Sequence, residues 1–266
     1  MVTPEAPVLD NVFFGGAASR IPLPASLISA ALDLLLPRAC VACDGPMSRS
    51  DSGVVCGLCW SRIQQLPWPQ CERCGHPLRS DVCQWCDLLP PYVRAVRSVC
   101  WMPIEPASSI VHALKYDGWS VIAAGLADRM SRLPWPRDVV DERKALIPIP
   151  LASARKRQRG YNQSGLIASE LGKRWRIPVW EDAVQRTRET ETQTRLTPED
   201  RRANVAGSFC VGGDLAGIAD AHLVIVDDVV TTAATLNSCA KVLYEAGARI
   251  ISYVTFGRAH ASGDRL

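Results

Sequence analysis

Two adjacent carboxylates, Asp227 and Asp228, close the apolar run 223–226 and are followed by VVTTAAT over residues 229–235. Such a run reads as a buried parallel strand. Behind it Leu236, Cys239, Ala240 and Leu243 keep helical spacing, Gly247 is placed to end the helix, and strand character resumes over 250–256. In a strand–loop–helix–strand unit a ligand sits beyond the carboxyl end of the strand, where loop amides and the helix N-terminus hold an anion. Thr231, Thr232 and Thr235 add hydroxyl donors that suit a monoester phosphate, and the paired acids suit the vicinal hydroxyls of a ribose. The chemistry indicated is the grip on a sugar phosphate; the plainer alternative is a strand end with exposed acids before a threonine-capped helix.

Eight of the eleven cysteines form four C-x-x-C pairs: Cys40 with Cys43, Cys56 with Cys59, Cys71 with Cys74, and Cys83 with Cys86. Each pair turns two thiolates toward one point, and two pairs complete a tetrahedral zinc site, so two structural zinc ions are expected. The gaps of twelve and eight residues within successive couples are short for a zinc ribbon. Interleaved pairing, or one zinc with spare thiols, therefore stays open, as do an iron or redox role and disulfides. Cys71, Cys74, Gly75 and Pro77 echo Cys40, Cys43, Gly45 and Pro46, an internal repeat of one small staple. Trp60, Trp68 and Trp85 either pack beside the metal or offer a face to single-stranded DNA or a protein partner. Cys100, Cys210 and Cys239 have no knuckle or histidine near them in sequence and read as ordinary buried thiols.

A second anion site is placed after residues 145–150, an apolar strand ending in Pro148 and Pro150. The basic loop that follows carries Arg155, Lys156, Arg157 and Arg159, then Gly160 and an amphipathic helix. These cations suit a pyrophosphate, with Arg159 forking onto its oxygens; a solvated basic surface and a contact for nucleic acid phosphates are the alternatives. Between Arg186 and Asn204 a polar stretch has the length of a lid, with Arg186, Gln193 and Arg201 placed to close over the ligand. Simple disorder is its alternative. His112 and Lys115 share a helical face and read as a surface pair.

The elements that must position these groups fit a chain of 266 residues with 47% apolar and 21% charged residues. That length suits two domains and that composition a soluble protein, with no helix run long enough to span a membrane. A tail and short helix over residues 1–36, a cysteine-rich segment over 37–90 and an α/β domain over 91–266 are expected. Residues 21–36 are apolar but hold Pro22, Pro24 and Asp33, which argues against an export signal and for a cytoplasmic location. The formal charge of +3 points to no particular partner.

The stretch VIVDDVVTTAATL, residues 224–236, resembles the signature with which type I phosphoribosyltransferases bind 5-phosphoribosyl 1-pyrophosphate (PRPP). With the four knuckles, the Lys115–Tyr116 pair, RQRGYNQ at 157–163 and Q-x-x-L-x(4)-R-x-x-N through Gln193, Leu196, Arg201 and Asn204, the chain is identified as resembling the ComF family from about Leu34 to Arg258. The resemblance implies a double zinc ribbon before a parallel sheet flanked by helices, and members linked to DNA uptake in competence. It implies that Asp227 and Asp228 hold the ribose hydroxyls while Val229, Thr231, Thr232, Ala233, Ala234 and Thr235 wrap the 5-phosphate. It further implies that Arg157, Arg159, Gly160, Asn162 and Gln163 border the pyrophosphate, that Gln193 and Arg201 belong to the lid, and that Mg²⁺ accompanies PRPP. Catalysis would fall to Asp227, Asp228 and Arg159, with an unidentified acceptor. The family has glycine where Ala233 stands, and a methyl group there would crowd the phosphate or call for negative φ.

Overall fold

Alternation along four apolar strands sets the architecture. The computed structural model describes residues 38–48, 50–78, 83–187, 207–213 and 217–260. The tail and short helix expected over 1–36 lie outside these residues, as do Gln193 and Arg201. Strands β1 (Val93–Met102), β2 (Arg143–Pro148), β5 (His222–Val230) and β6 (Ile250–Ala259) form one parallel sheet in the order β1-β6-β5-β2. A parallel strand buried on both faces needs apolar residues at successive positions, which is the reason for its continuous runs. Leu146, Val224, Val226, Val254 and Phe256 point to one side, and Ala145, Ile147, Leu223, Ile225, Ile251 and Tyr253 to the other.

On the first side lie α2 (Ala107–Tyr116), α3 (Ile122–Ser131) and α6 (Gln163–Trp175), which bury Ile110, Leu114, Leu126, Met130, Ile167 and Leu171. On the second lie α7 (Ala234–Glu245), burying Leu236, Cys239, Ala240 and Leu243 as its spacing required, and a small antiparallel hairpin of β3 (Val184–Arg186) and β4 (Phe209–Val211). Two short helices, α4 (Arg137–Glu142) before β2 and α5 (Ser153–Arg159) after it, complete this part.

The cysteine-rich segment, with its one-turn helix α1 (Gly57–Ser61), is built onto the edge of β1. Leu66 donates its amide to the Val99 carbonyl at 3.2 Å, and Val96 donates to Arg73 at 2.8 Å, so the edge is covered rather than exposed. Gly75 makes the second contact feasible: a Cβ there would stand 2.4 Å from the Val96 oxygen. Cys40, Cys56 and Cys59 join the core on the α3 side, and Cys74 and Trp85 join it on the α7 side. Among the described residues no helix is long and apolar enough to cross a membrane.

Three local expectations need correction. The basic segment after β2 is helix α5, not a loop, because Ala, Arg, Lys and Gln are good helix formers and Gly160 ends the helix in left-handed backbone at φ 78°. Strand β5 does not stop at Asp227: β6 continues beside it, with Val229 opposite Gly257 and Val230 opposite Arg258. Cys210 is exposed, because on β4 the buried side is taken by Phe209.

His222, at the far end of β5 from the acids, has no exposed side-chain surface, and its Nε2 lies 2.9 Å from Ser252 Oγ. Burial lowers its pKa to about 4, with Glu142 pulling the other way. The folded state keeps this ring neutral while the unfolded chain protonates it at about 6.5, so stability is lost as pH falls from about 6.5 toward 4. Between pH 7 and 5 this group should cost about 2 kcal/mol. Urea unfolding should show that loss in the wild type and a smaller one in His222→Gln; equal losses would assign the pH dependence elsewhere.

Candidate functional site

The parallel pairing of β5 with β2 and β6 brings the carboxyl ends of these strands to one edge, where Asp227 and Asp228 stand. Asp228 is buried and Asp227 half-buried. Asp227 Oδ1 accepts from the Asp228 amide at 2.9 Å and from Ser164 Oγ, at the start of α6, at 2.8 Å. Burial, and then the charge of Asp228, hold the Asp227 carboxyl well above the usual carboxylate range, against the pull of Ser164 and Lys115. Two acids side by side, one buried and one half-buried, invite a cation.

The cation present is Lys115, whose ammonium pairs with Asp228 Oδ2. Lys115 is therefore not the surface residue its helical spacing implied. It lies on the last turn of α2, and the fold aims that turn at the acids. Tyr161 donates its hydroxyl to the Leu114 carbonyl at 2.5 Å, and the Arg159 guanidinium lies over the Tyr116 ring at 4.7 Å from its centroid. His112, by contrast, is exposed and faces Asp117 at 3.4 Å. The sequence signal for Lys115 was the Lys115–Tyr116 pair itself; no spacing rule connects it to an acid pair more than a hundred residues away.

The RGYNQ run works as a frame. Asn162 accepts the Ser164 amide at 3.2 Å, which caps α6, and donates Nδ2 to the Ile149 carbonyl at 3.0 Å. Gln163 is buried and accepts from Arg159 Nη1 at 3.0 Å. Asn162 and Gln163 thus spend these groups on the fold, while Arg159 and Gly160 line the turn between α5 and α6. Lys156 and Arg157 are exposed on α5. Arg186, half-buried at the end of β3, lies over the Phe209 ring. Burial and the charge of Arg155 lower its pKa while Asp227 raises it, which places Arg186 within electrostatic reach of the acids.

After Val230 the chain turns through Thr231 and Thr232 into α7. Its N-cap is Ala233, at φ 58° and ψ 6°, with no side-chain cap. Alanine has no oxygen to cap with, so the first-turn amides of α7 are left for an external acceptor, and the helix dipole favours an anion there. Ala233 does not take the negative φ its methyl group prefers; it accepts the left-handed conformation, which costs about 1–2 kcal/mol in an L-residue. Ala233→Gly is expected to raise stability by up to about 1 kcal/mol after the extra freedom of the unfolded chain is counted. A lower denaturant midpoint would show that the buried methyl packs better than its backbone strains. Beside the loop a cavity of about 460 Å³ is lined by Thr232, Ala234, Asn237, Leu88 and Tyr92. Asn237 donates to the Leu88 carbonyl at 2.8 Å, so the cysteine-rich segment touches the flank of the loop.

The cysteines gather sequentially. Cys40, Cys43, Cys56 and Cys59 form one group and Cys71, Cys74, Cys83 and Cys86 another, each with its sulfurs within 4.8 Å of one another. All eleven cysteines are free of disulfides. Burial pushes the Cys40 and Cys71 thiols up, but amide donors, from Cys56 and Ala42 in one group and from Cys74 and Arg73 in the other, bring both down to about 7. Four soft sulfur donors gathered at one point fit zinc. Trp85 is buried beside the second group and Trp60 half-buried beside the first, whereas Trp68 is 67% exposed.

Known proteins are similar to this chain in sequence. Residues 31–89 match the double zinc ribbon domain, and residues 120–265 the phosphoribosyl transferase domain. The DNA utilization protein YhgH of Salmonella typhi is 34% identical over 233 residues, covering 82% of this chain and 96% of that protein. Competence protein F of Haemophilus influenzae is 29% identical, covering 83% and 96%. Competence protein ComFC of Bacillus subtilis is 25% identical, covering 73% and 79%. Among solved structures, a purine phosphoribosyltransferase from Pyrococcus horikoshii Ot3 is 16% identical with a TM-score of 0.28, over 56% of this chain and 91% of that one.

Proposed function

This chain belongs to the ComF family, and on that premise we propose that it binds PRPP with Mg²⁺ at the carboxyl end of β5 and transfers the phosphoribosyl group to an acceptor, releasing pyrophosphate. One observation carries the reading: an acid pair, Asp228 buried and Asp227 half-buried, stands next to an uncapped helix N-terminus, the two halves of a grip on a ribose 5-phosphate. Asp227 and Asp228 accept the 2′ and 3′ hydroxyls, and the amides of Ala234 and Thr235, with the Thr231, Thr232 and Thr235 hydroxyls, hold the 5-phosphate. Arg159, steadied by Gln163 and Tyr116, faces the departing pyrophosphate. Oxygen donors of the acid pair and of the ligand suit Mg²⁺, which when bound supplies neutralisation of the pyrophosphate charge. Arg186 ends β3 within electrostatic reach of the acids, and the lid expected after it lies outside the described residues. Free cysteines in two metal-type groups favour a reducing, cytoplasmic setting.

The test is calorimetric titration of PRPP with Mg²⁺ into the purified chain. Micromolar binding supports the reading, and no heat at millimolar PRPP overturns it. A second reading, a ligand-sensing accessory of DNA uptake, is favoured by the left-handed Ala233 and by the names of the relatives. It calls for binding of single-stranded DNA that weakens with salt and is lost on neutralising Arg155, Lys156 and Arg157 on α5. Pyrophosphate release across a nucleobase panel separates the two.

A further inference from the structure

The cavity of about 460 Å³ beside the Thr231–Thr235 turn has two walls that come from distant parts of the chain. One is a stripe of α7 in which Ala234, Asn237 and Lys241 recur at helical spacing, away from the stripe of Leu236, Cys239, Ala240 and Leu243 that enters the core. The other is the arm that leaves the second cysteine group, with Asp87, Leu88 and Tyr92. These walls are fixed to each other. Asn237 donates Nδ2 to the Leu88 carbonyl at 2.8 Å and accepts from the buried Tyr253 hydroxyl at 3.0 Å. Arg73 donates to the carbonyls of Leu89, Pro90 and Val93 at 2.7–3.3 Å, and Tyr92 stacks on Tyr244 with 4.1 Å between ring centroids. A gap whose sides are bonded together in this way is preformed, and its volume is that of a small-molecule site.

Its place relative to the acids decides what it can hold. Thr232 and Ala234 of the turn line it, whereas Asp227, Asp228 and Arg159 do not. The acids are met from the other side of the sheet, by Lys115 on α2 and Ser164 on α6. A sugar with its hydroxyls on the acids and its phosphate on the turn therefore points its phosphate, not its anomeric carbon, at this cavity. A ligand that ends at that phosphate leaves the cavity unused, and one that continues through it enters the space.

The lining suits such a continuation. Lys241 is seven residues beyond Ala234, about 10 Å along the helix axis, and helical side chains lean back toward the N-terminus. Its ammonium is exposed and loosely paired with Glu245 at 3.7 Å, so it is available to a second phosphate joined to the first. Tyr92 offers a firmly held aromatic surface for a base, and Asp87 an acceptor for a hydroxyl or amino group.

We propose, resting on the reading that the turn holds a ribose 5-phosphate, that this cavity is a nucleoside subsite: the ligand class includes a ribose whose 5-phosphate is joined through a pyrophosphate bridge to a second nucleoside. Lys241 meets the second phosphate of the bridge, and the arm from the cysteine-rich segment meets the nucleoside.

The experiment titrates ADP-ribose, ribose 5-phosphate and PRPP, each with Mg²⁺, into the full chain and into Lys241→Met, a surface change that leaves the fold intact. ADP-ribose should bind at least about tenfold more tightly than ribose 5-phosphate, the scale of one charge-assisted contact, and PRPP should displace it. Lys241→Met should remove that advantage and leave the affinities for ribose 5-phosphate and PRPP as in the wild type. Binding of PRPP without binding of ADP-ribose overturns the subsite and leaves the reading of the turn standing. ADP-ribose held no more tightly than ribose 5-phosphate, or not displaced by PRPP, also overturns it. So does a Lys241→Met variant that binds ADP-ribose as the wild type does, or that weakens all three ligands alike. If neither PRPP nor ADP-ribose binds, the subsite and the reading of the turn fall together.

Discussion

Replacing Asp227 and Asp228 together by asparagine is expected to weaken PRPP binding in the presence of Mg²⁺ by at least about 100-fold, since each lost charge-assisted hydrogen bond is worth about 1.5–3 kcal/mol. The fold should survive, because the change removes a like-charge pair from a buried position and asparagine keeps the shape of the side chains. Melting in the absence of ligand should therefore be unchanged or improved, except for the Lys115 ammonium, which loses its partner. The wild-type affinity should also depend on pH. The Asp227 carboxyl is held above its ordinary range by burial and by Asp228, so it is protonated at pH values where a surface aspartate is charged. Binding that needs the ionised pair then tightens as pH rises above the ordinary carboxylate range. The double variant should show no such rise. Undiminished affinity in the double variant would remove the acid pair from the ligand grip.

Lys115→Met should have the second largest effect. Removing one partner of a buried ion pair costs about 3–5 kcal/mol, which the partial exposure of Lys115 and proton uptake by the acid pair reduce to about 2–3 kcal/mol. In a domain of this size that corresponds to a fall in Tm of roughly 4–12 °C. The distinguishing feature is rescue: millimolar Mg²⁺ should narrow the gap between variant and wild type, because a divalent ion at the acids replaces the missing ammonium. If the variant melts lower and Mg²⁺ makes no difference, Lys115 serves packing of the α2 end. If it melts with the wild type, the pair with Asp228 contributes little in solution.

Several elements were legible because their signals are local. The run 223–226 followed by two acids and three threonines identified β5 and its turn. Leu236, Cys239, Ala240 and Leu243 located the buried face of α7. The C-x-x-C knuckles announced metal sites, since two thiols three positions apart on a tight turn have one shared geometry. Other features were misread because local signals point the wrong way. The cations of α5 suggested a loop by polarity, yet their helix propensity prevailed. The two acids suggested a strand end, yet β6 supplies partners as far as Val230.

The sequence by itself determined the α/β class, the presence of two four-cysteine groups, the turn between β5 and α7, and the acid pair beside it. Each depends on residues within a few positions of one another, where backbone geometry alone dictates which groups meet. Only the tertiary structure decided that Lys115 answers Asp228, that Asn162 and Gln163 bond to the frame of the fold, and that Ala233 accepts a left-handed turn. It alone decided that Arg258 on β6 and Arg97 on β1 donate to the carbonyls of Cys74 and Glu72 in the cysteine-rich segment. Those pairings join segments far apart in the chain, and they form because the order β1-β6-β5-β2 and the helices packed on it bring the segments together. A charge's partner is set by that packing, which no spacing along the chain records.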